Sequence, residues 1–275
     1  MKTTKLFTTC ALIGALITAG TFCHADSNHE RKNGNSAANA QKIDPLATAK
    51  IADLKKELVE GNARFISGTL RHTKVSVADI KKVTLSPQSP KVGVVSCSDA
   101  RITPDSIFDS APGDIYSIRN AGGVAGGTLV RSIAMGIYDL KVPFILFLAH
   151  SDCNTTKMAI EFYNHQFEKK PEVPENVREL ANIIQPAIKA ANKVSAQFPN
   201  TDFATLVAIE TQWKNIEFIL TTSPYVRKAI LDGKVTFDVG TYDMKTGKVS
   251  FVDSDSAAKR ILSIISELET KNVLE

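Results

Sequence analysis

The stretch "KVGVVSCSDARITPDSIFD", residues 91–109, decides how the rest of the chain is read. It opens on an apolar run without polar alternation, the pattern of a strand buried on both faces of a sheet. The run stops at Cys97, and Asp99 and Arg101 follow before a proline-started helix at Pro104. A second run of the same kind, "VPFILFLA" (142–149), stops at "HSDC" (150–153). Between them lie a further candidate strand, "DIYSI" (114–118), and a glycine-opened helix, "GGTLVRSIAMGIYDL" (126–140). Strands alternating with helices predict an α/β fold with a mainly parallel central sheet flanked by helices. Such sheets carry their sites at the carboxyl ends of strands, which is where Cys97 and His150 stand.

Outward from this centre, Ile51, Leu54, Leu58 and Phe65 have helical spacing over 46–66. Helices are expected over 155–167, over 174–197 with a kink or break at Pro186, and over 202–222. Ser223-Pro224 supplies an N-cap and a first-turn proline for a short helix to Leu231. "KVTFDVGTYD" (234–243), the turn "MKTG" and "KVSFVD" (248–253) predict an antiparallel C-terminal hairpin. An amphipathic helix through Ile261, Ile264, Ile265 and Leu268 closes the series.

The first 25 residues read as a cleaved export signal. Lys2 and Lys5 precede an uncharged apolar stretch from Leu6 to Gly20, too short to span a bilayer, and "CHA" offers small residues before a cut after Ala25. The product is expected to be exported, to the periplasm of a two-membrane cell, with no membrane anchor after cleavage. Residues 26–45 read as a polar, flexible tail and 46–275 as one catalytic domain. Loss of the two signal lysines lowers the formal charge from +4 to +2, too small a bias to favour nucleic acid.

Cleavage also removes Cys10 and Cys23, leaving Cys97 and Cys153. In an oxidising compartment a disulfide is the first reading of such a pair. It leaves the crowding of His150, Asp99 and Arg101 unexplained. A Cys97 nucleophile with His150 as base gives Cys153 no role. Two thiolates and an imidazole suit tetrahedral zinc: with three protein ligands the site is open and catalytic, and with Asp99 as a fourth it is closed and structural. Asp99 and Arg101, alternating along an extended segment, are expected to project to one side as an ion pair that keeps the carboxylate charged. The "RNAGGVAGG" stretch (119–127) lacks a phosphate-loop pattern, and its glycines are expected to make a tight strand-to-helix turn beside the metal. His29, His72 and His165 read as surface residues.

"CSDAR" followed by "HSDC" resembles the C-x-D-x-R and H-x-x-C signatures of β-class carbonic anhydrases. "GNARFISG" (61–68), "PGDIYSIRNAGG" (112–123), "TTSPYVRKAILDGKV" (221–235) and "GTYDMKTGKVSF" (240–251) are similar to family stretches in the same order. The resemblance implies Zn2+ held by Cys97, His150 and Cys153, a catalytic dyad of Asp99 and Arg101, and reversible hydration of CO2 to bicarbonate and a proton. It also implies assembly as a homodimer or a dimer-based larger oligomer, and a possible inactive closed form in which Asp99 itself ligates zinc. Same-fold hydrolysis of carbonyl sulfide or carbon disulfide, and a non-catalytic zinc-binding protein, are the alternatives. Two departures stand out. Ala100 occupies a common serine position and should point away from the metal, and Asn154 replaces a common glycine and is expected to take its left-handed conformation.

Overall fold

The computed structural model describes residues 45–72, 74–164 and 173–270, with the side chains described from Lys50 onward. The described residues fall within one compact unit. In chain order they form α1 (Pro45–Ser67), α2 (Val77–Val83), β1 (Val92–Cys97), α3 (Pro104–Ile107), β2 (Ile115–Asn120), α4 (Gly127–Tyr138), β3 (Phe144–His150), α5 (Asn154–Tyr163), α6 (Glu175–Val194), α7 (Phe203–Thr222), α8 (Pro224–Leu231), β4 (Thr236–Tyr242), β5 (Val249–Phe251) and α9 (Ser254–Thr270). Residues 1–44, which carry the expected export signal, nearly all of the expected tail and His29, lie outside the described residues, as does His165.

One five-stranded sheet runs β2-β1-β3-β4-β5. Every pair is parallel except β4 with β5, where Gly240 faces Phe251. The expected mainly parallel sheet with a terminal antiparallel pair is therefore present. β1 and β3 are buried along their whole length. Their side chains divide between the faces with the period of two that a pleated strand imposes. Val94, Phe144, Leu146 and Leu148 pack with Leu54 and Leu58 of α1 and Ile107 of α3. Val95, Ile145 and Phe147 face the other way, against α4, α7, α8 and α9. Each such residue, wholly buried, contributes roughly 1.5–3 kcal/mol.

This arrangement positions the site. The chain leaves β1 through α3 on one face to reach β2, then returns through α4 on the other face to reach β3. The carboxyl ends of β1 and β3 therefore flank the place where the connections diverge, the crevice such sheets use for ligands.

Two local expectations change. Pro186 does not break its helix: α6 runs unbroken over Glu175–Val194. Ala181 and Ile184 before the proline and Ala187, Ile188 and Ala191 after it bury one continuous face with α5 and α7, which outweighs the lost backbone bond. α2 was not anticipated. Its cue is Ser76 followed three residues later by Asp79, which form a reciprocal capping box.

Candidate metal centre

β1 delivers Cys97 and β3 delivers His150 to the same carboxyl end of the sheet. The turn after β3 then reverses direction at Asp152, whose φ is +59°, and places Cys153 at the N-cap of α5. The left-handed residue is thus Asp152. Asn154 is already the first residue of α5, so the conformation expected of it belongs two positions earlier, a site that aspartate also tolerates. Further along, Ser151 N donates to the Tyr242 carbonyl (3.0 Å) and Met244 N to Ser151 Oγ (2.9 Å), which fastens the turn to the end of β4.

The potential ligand atoms of Cys97, His150 and Cys153 all lie within 4.8 Å of one another, and the three residues are buried. Both cysteines are free thiols, not a disulfide. His150 Nδ1 lies 2.8 Å from the Ser151 carbonyl, which fixes Nδ1 as the protonated nitrogen and turns an unprotonated Nε2 inward. Nε2 is buried without a hydrogen-bond partner. A buried acceptor with nothing to accept is costly. Among the described residues the two sulfurs beside it complete a donor set that fits zinc, with a ring orientation of the kind metal-ligating histidines have.

Electrostatics within the cluster point the same way. A hydrogen bond to the Cys153 sulfur, and then burial, push the Cys97 thiol up, against the backbone N–H groups of Asp99 and Gly122. Cys153 is pulled down, first by the bond from Cys97 and then by His150 and Thr156, against burial. Burial lowers His150, but the Cys153 sulfur beside it and then the Ser151 carbonyl outweigh burial and leave the imidazole above its ordinary value. Two buried sulfurs whose affinities for a proton are pushed apart this way form a site suited to a divalent cation.

Asp99 and Arg101 are paired, but by a turn. Residues 98 and 99 leave the strand and the chain turns at Ala100. Arg101 N donates to Asp99 Oδ1 (3.0 Å), and the guanidinium closes on the same carboxylate through Nε (2.9 Å) and Nη2 (2.8 Å). A short polar side chain bonding a backbone amide two residues on favours this turn over an extended segment. These bonds hold the Asp99 carboxyl well below the usual carboxylate range, against its burial. Ala100 is exposed and lines the open cleft with Cys97, Asp99, Arg101 and Thr155.

Asp152, its partner Lys157 and Arg119 are contributors that the sequence reading did not single out. Asp152 accepts from Arg101 Nη1 (3.0 Å) and is ion-paired to Lys157, so alternating charges run Asp99, Arg101, Asp152, Lys157. Arg119 braces the loop from below, donating to the carbonyls of Cys97 (3.2 Å) and Asp99 (2.8 Å). The glycine turn lies beside the cluster as expected: Gly122 and Gly123 have φ of +71° and +61°, and Gly122 N is 3.3 Å from Cys97 Sγ. Asp152 and Arg119 sit inside the "HSDC" and "RNAGG" stretches, and that proximity was their only signal.

A family model described as "Carbonic anhydrase" matches residues 92–249, from the first residue of β1 into β5 and more than half of the 275 residues. The chain belongs to the carbonic anhydrase family. It is 31% identical over 139 residues to a carbonic anhydrase of Mycolicibacterium smegmatis, covering 50% of this chain and 65% of that one. It is 34% identical over 109 residues to carbonic anhydrase 2 of Mycobacterium tuberculosis, covering 40% and 52%. The matched stretches thus span between half and two thirds of these relatives' lengths. Among solved structures, the β-carbonic anhydrase CcaA superposes with a TM-score of 0.53 at 19% identity over 74% of this chain and 90% of that one. The β-carbonic anhydrase CafA of Aspergillus fumigatus does so with 0.52 at 15% identity over 81% and 96%. These likenesses establish the β-carbonic-anhydrase fold.

Proposed function

We propose that this carbonic anhydrase family member catalyses the zinc-dependent reaction CO2 + H2O ⇌ HCO3⁻ + H⁺. The observation that carries the proposal is the convergence of Cys97, His150 and Cys153 beside an Asp99 carboxylate gripped by Arg101. Cys97 and Cys153 through sulfur and His150 through Nε2 would hold the ion. A zinc ion there supplies the Lewis acidity that lets water act as a nucleophile near neutral pH. The chain's own residues do the rest. Ser151 keeps His150 in the tautomer that leaves Nε2 free. Arg101 keeps Asp99 ionised and aimed, so that Asp99 accepts a hydrogen bond from the reacting water and orients it. Arg119 holds the backbone from which both Cys97 and Asp99 project.

The engagement of both Asp99 oxygens by Arg101 favours a catalytic reading over one in which Asp99 is a permanent fourth ligand. Stopped-flow CO2 hydration on metal-quantified protein, run beside carbonyl sulfide hydrolysis, is the test. Zinc-loaded protein inactive toward CO2 rejects the proposal.

Assembly through dimers fits two further features. The outer rim of β2 has no strand partner among the described residues, and Val77 and Ile80 of α2 are exposed. A structural relative from Sordaria macrospora is described as tetrameric. Sedimentation should show dimers or multiples of dimers. Export rests on residues 1–25 alone, and an isolated product whose first residue is Asp26 would support it. No helix among the described residues is long and apolar enough to cross a membrane.

A further inference from the structure

Asn215 sits in the middle of α7 and is buried. Helix interiors rarely bury an asparagine unless its amide is fully used. Here Oδ1 accepts from Ala125 N (2.7 Å), and Nδ2 donates to the Gly123 carbonyl (2.6 Å) and to Gln212 Oε1 (3.0 Å). The first two bonds seize the loop after β2 on either side of Val124. From inside the loop, Asn120 Nδ2 closes on the Val124 carbonyl (2.8 Å). A Cβ added at Gly123 would stand 3.2–3.4 Å from the Ser96 and Cys97 backbone, so the loop lies flat on the end of β1. Its neighbour, the Gly122 N–H, is the donor to Cys97 Sγ.

A loop with two left-handed glycines gives up much conformational freedom to hold one shape, and it has few side chains of its own with which to hold it. The clamp from α7 supplies the missing restraint. We propose that Asn215 is a positioning residue for the metal centre, holding the glycine loop so that the Gly122 N–H bonds the Cys97 sulfur and sets its donor strength toward a bound metal. The proposal rests on the reading of Cys97 as a ligand. A hydrogen bond to a ligating sulfur draws off part of its charge, one of the ways surrounding groups tune a metal.

The test uses full-length protein loaded with Co2+, whose sulfur-to-metal charge-transfer band reports the electron richness of the thiolates, together with zinc affinity by chelator competition. Asn215→Leu and the milder Asn215→Asp should move the band to lower energy, because the sulfur regains charge, and weaken zinc binding by about tenfold, because the released loop no longer holds Cys97 in place. Glu210→Gln, on the same helix but paired to Arg260 away from the loop, should leave the band in place. Folded Asn215 variants with an unchanged band and affinity overturn the proposal. If neither variant folds, Gln212→Ala, which removes one partner of the Asn215 amide, must shift the band in the same direction, and no shift overturns it. Absence of any thiolate–cobalt band in the unaltered protein overturns the metal reading itself, and this proposal with it.

Discussion

The Arg101 guanidinium meets the Asp99 carboxylate edge to edge, with Nε 2.9 Å from Oδ1 and Nη2 2.8 Å from Oδ2. Two parallel charge-assisted bonds fix direction as well as charge. Asp99→Asn keeps the shape and removes the charge. It should retain zinc while CO2 hydration falls about 100-fold or more, the scale of a lost general base. Arg101→Ala should lower activity too, because Asp99 loses its orienting partner. Undiminished hydration in both variants would remove the dyad from the mechanism.

Arg101 spends its remaining terminal nitrogen on Asp152, which Lys157 holds from the far side. These groups are about half exposed, so solvent screens them and the coupling is weak. Asp152→Asn tolerates the left-handed backbone and removes only charge. Hydration should drop roughly two- to fivefold, the range an exposed ion pair can influence, with zinc content unchanged. A loss as deep as that of Asp99→Asn would mean that Asp152 acts on the reaction directly.

Cys97 and Cys153 are free, buried and close together. Bound to one zinc they would lie about 4 Å apart, given Zn–S bonds of about 2.3 Å. Purified protein should therefore carry one zinc per chain and resist thiol oxidants. Chelation should expose both sulfurs to disulfide formation with loss of activity, and reductant plus zinc should restore it. Thiol titration with and without chelator is the measurement. Active, zinc-loaded protein without metal-protected thiols would exclude Cys97 as a ligand.

Away from the centre, Asp109 is buried with φ +44° and accepts from Arg64 Nε and from the backbone N–H groups of Arg71 and His72. Burial pushes its pKa up, but these donors prevail and hold it at about 2. A carboxylate depressed below its unfolded value of about 3.9 adds stability that is fully present above that value and is lost as pH falls through the folded one. Asp109→Asn should cost roughly 2 kcal/mol at neutral pH, the value of bonds to a charged acceptor. The gap between variant and parent should close between about pH 4 and pH 2. Urea denaturation at fixed protein concentration across that range checks it, and a pH-independent gap would show that charge is not the cause.

Much of this protein is legible from local pattern. Two unalternating apolar runs mark β1 and β3 because a strand covered on both faces needs apolar side chains at every position. Ser223-Pro224 marks the start of α8 because capping is decided within one turn, and Ser223 does accept from Val226 N. Cys97, His150 and Cys153 are suggested by chemistry and by their places at strand ends. What the chain alone could not decide is whatever depends on how distant segments meet or how the backbone turns. Asp99 and Arg101 pair through a turn and not through strand alternation. The left-handed position after His150 falls on Asp152 and not on Asn154, because Cys153 must already cap α5. Pro186 stays inside α6 because the helix buries a common face on both sides of it. Asn215 reads in sequence as one more polar residue of a helix. Only the fold brings it to Gly123 and Ala125, about ninety residues away, where an amide has donors and acceptors enough for both sides of a loop, and such a contact leaves no periodicity to read.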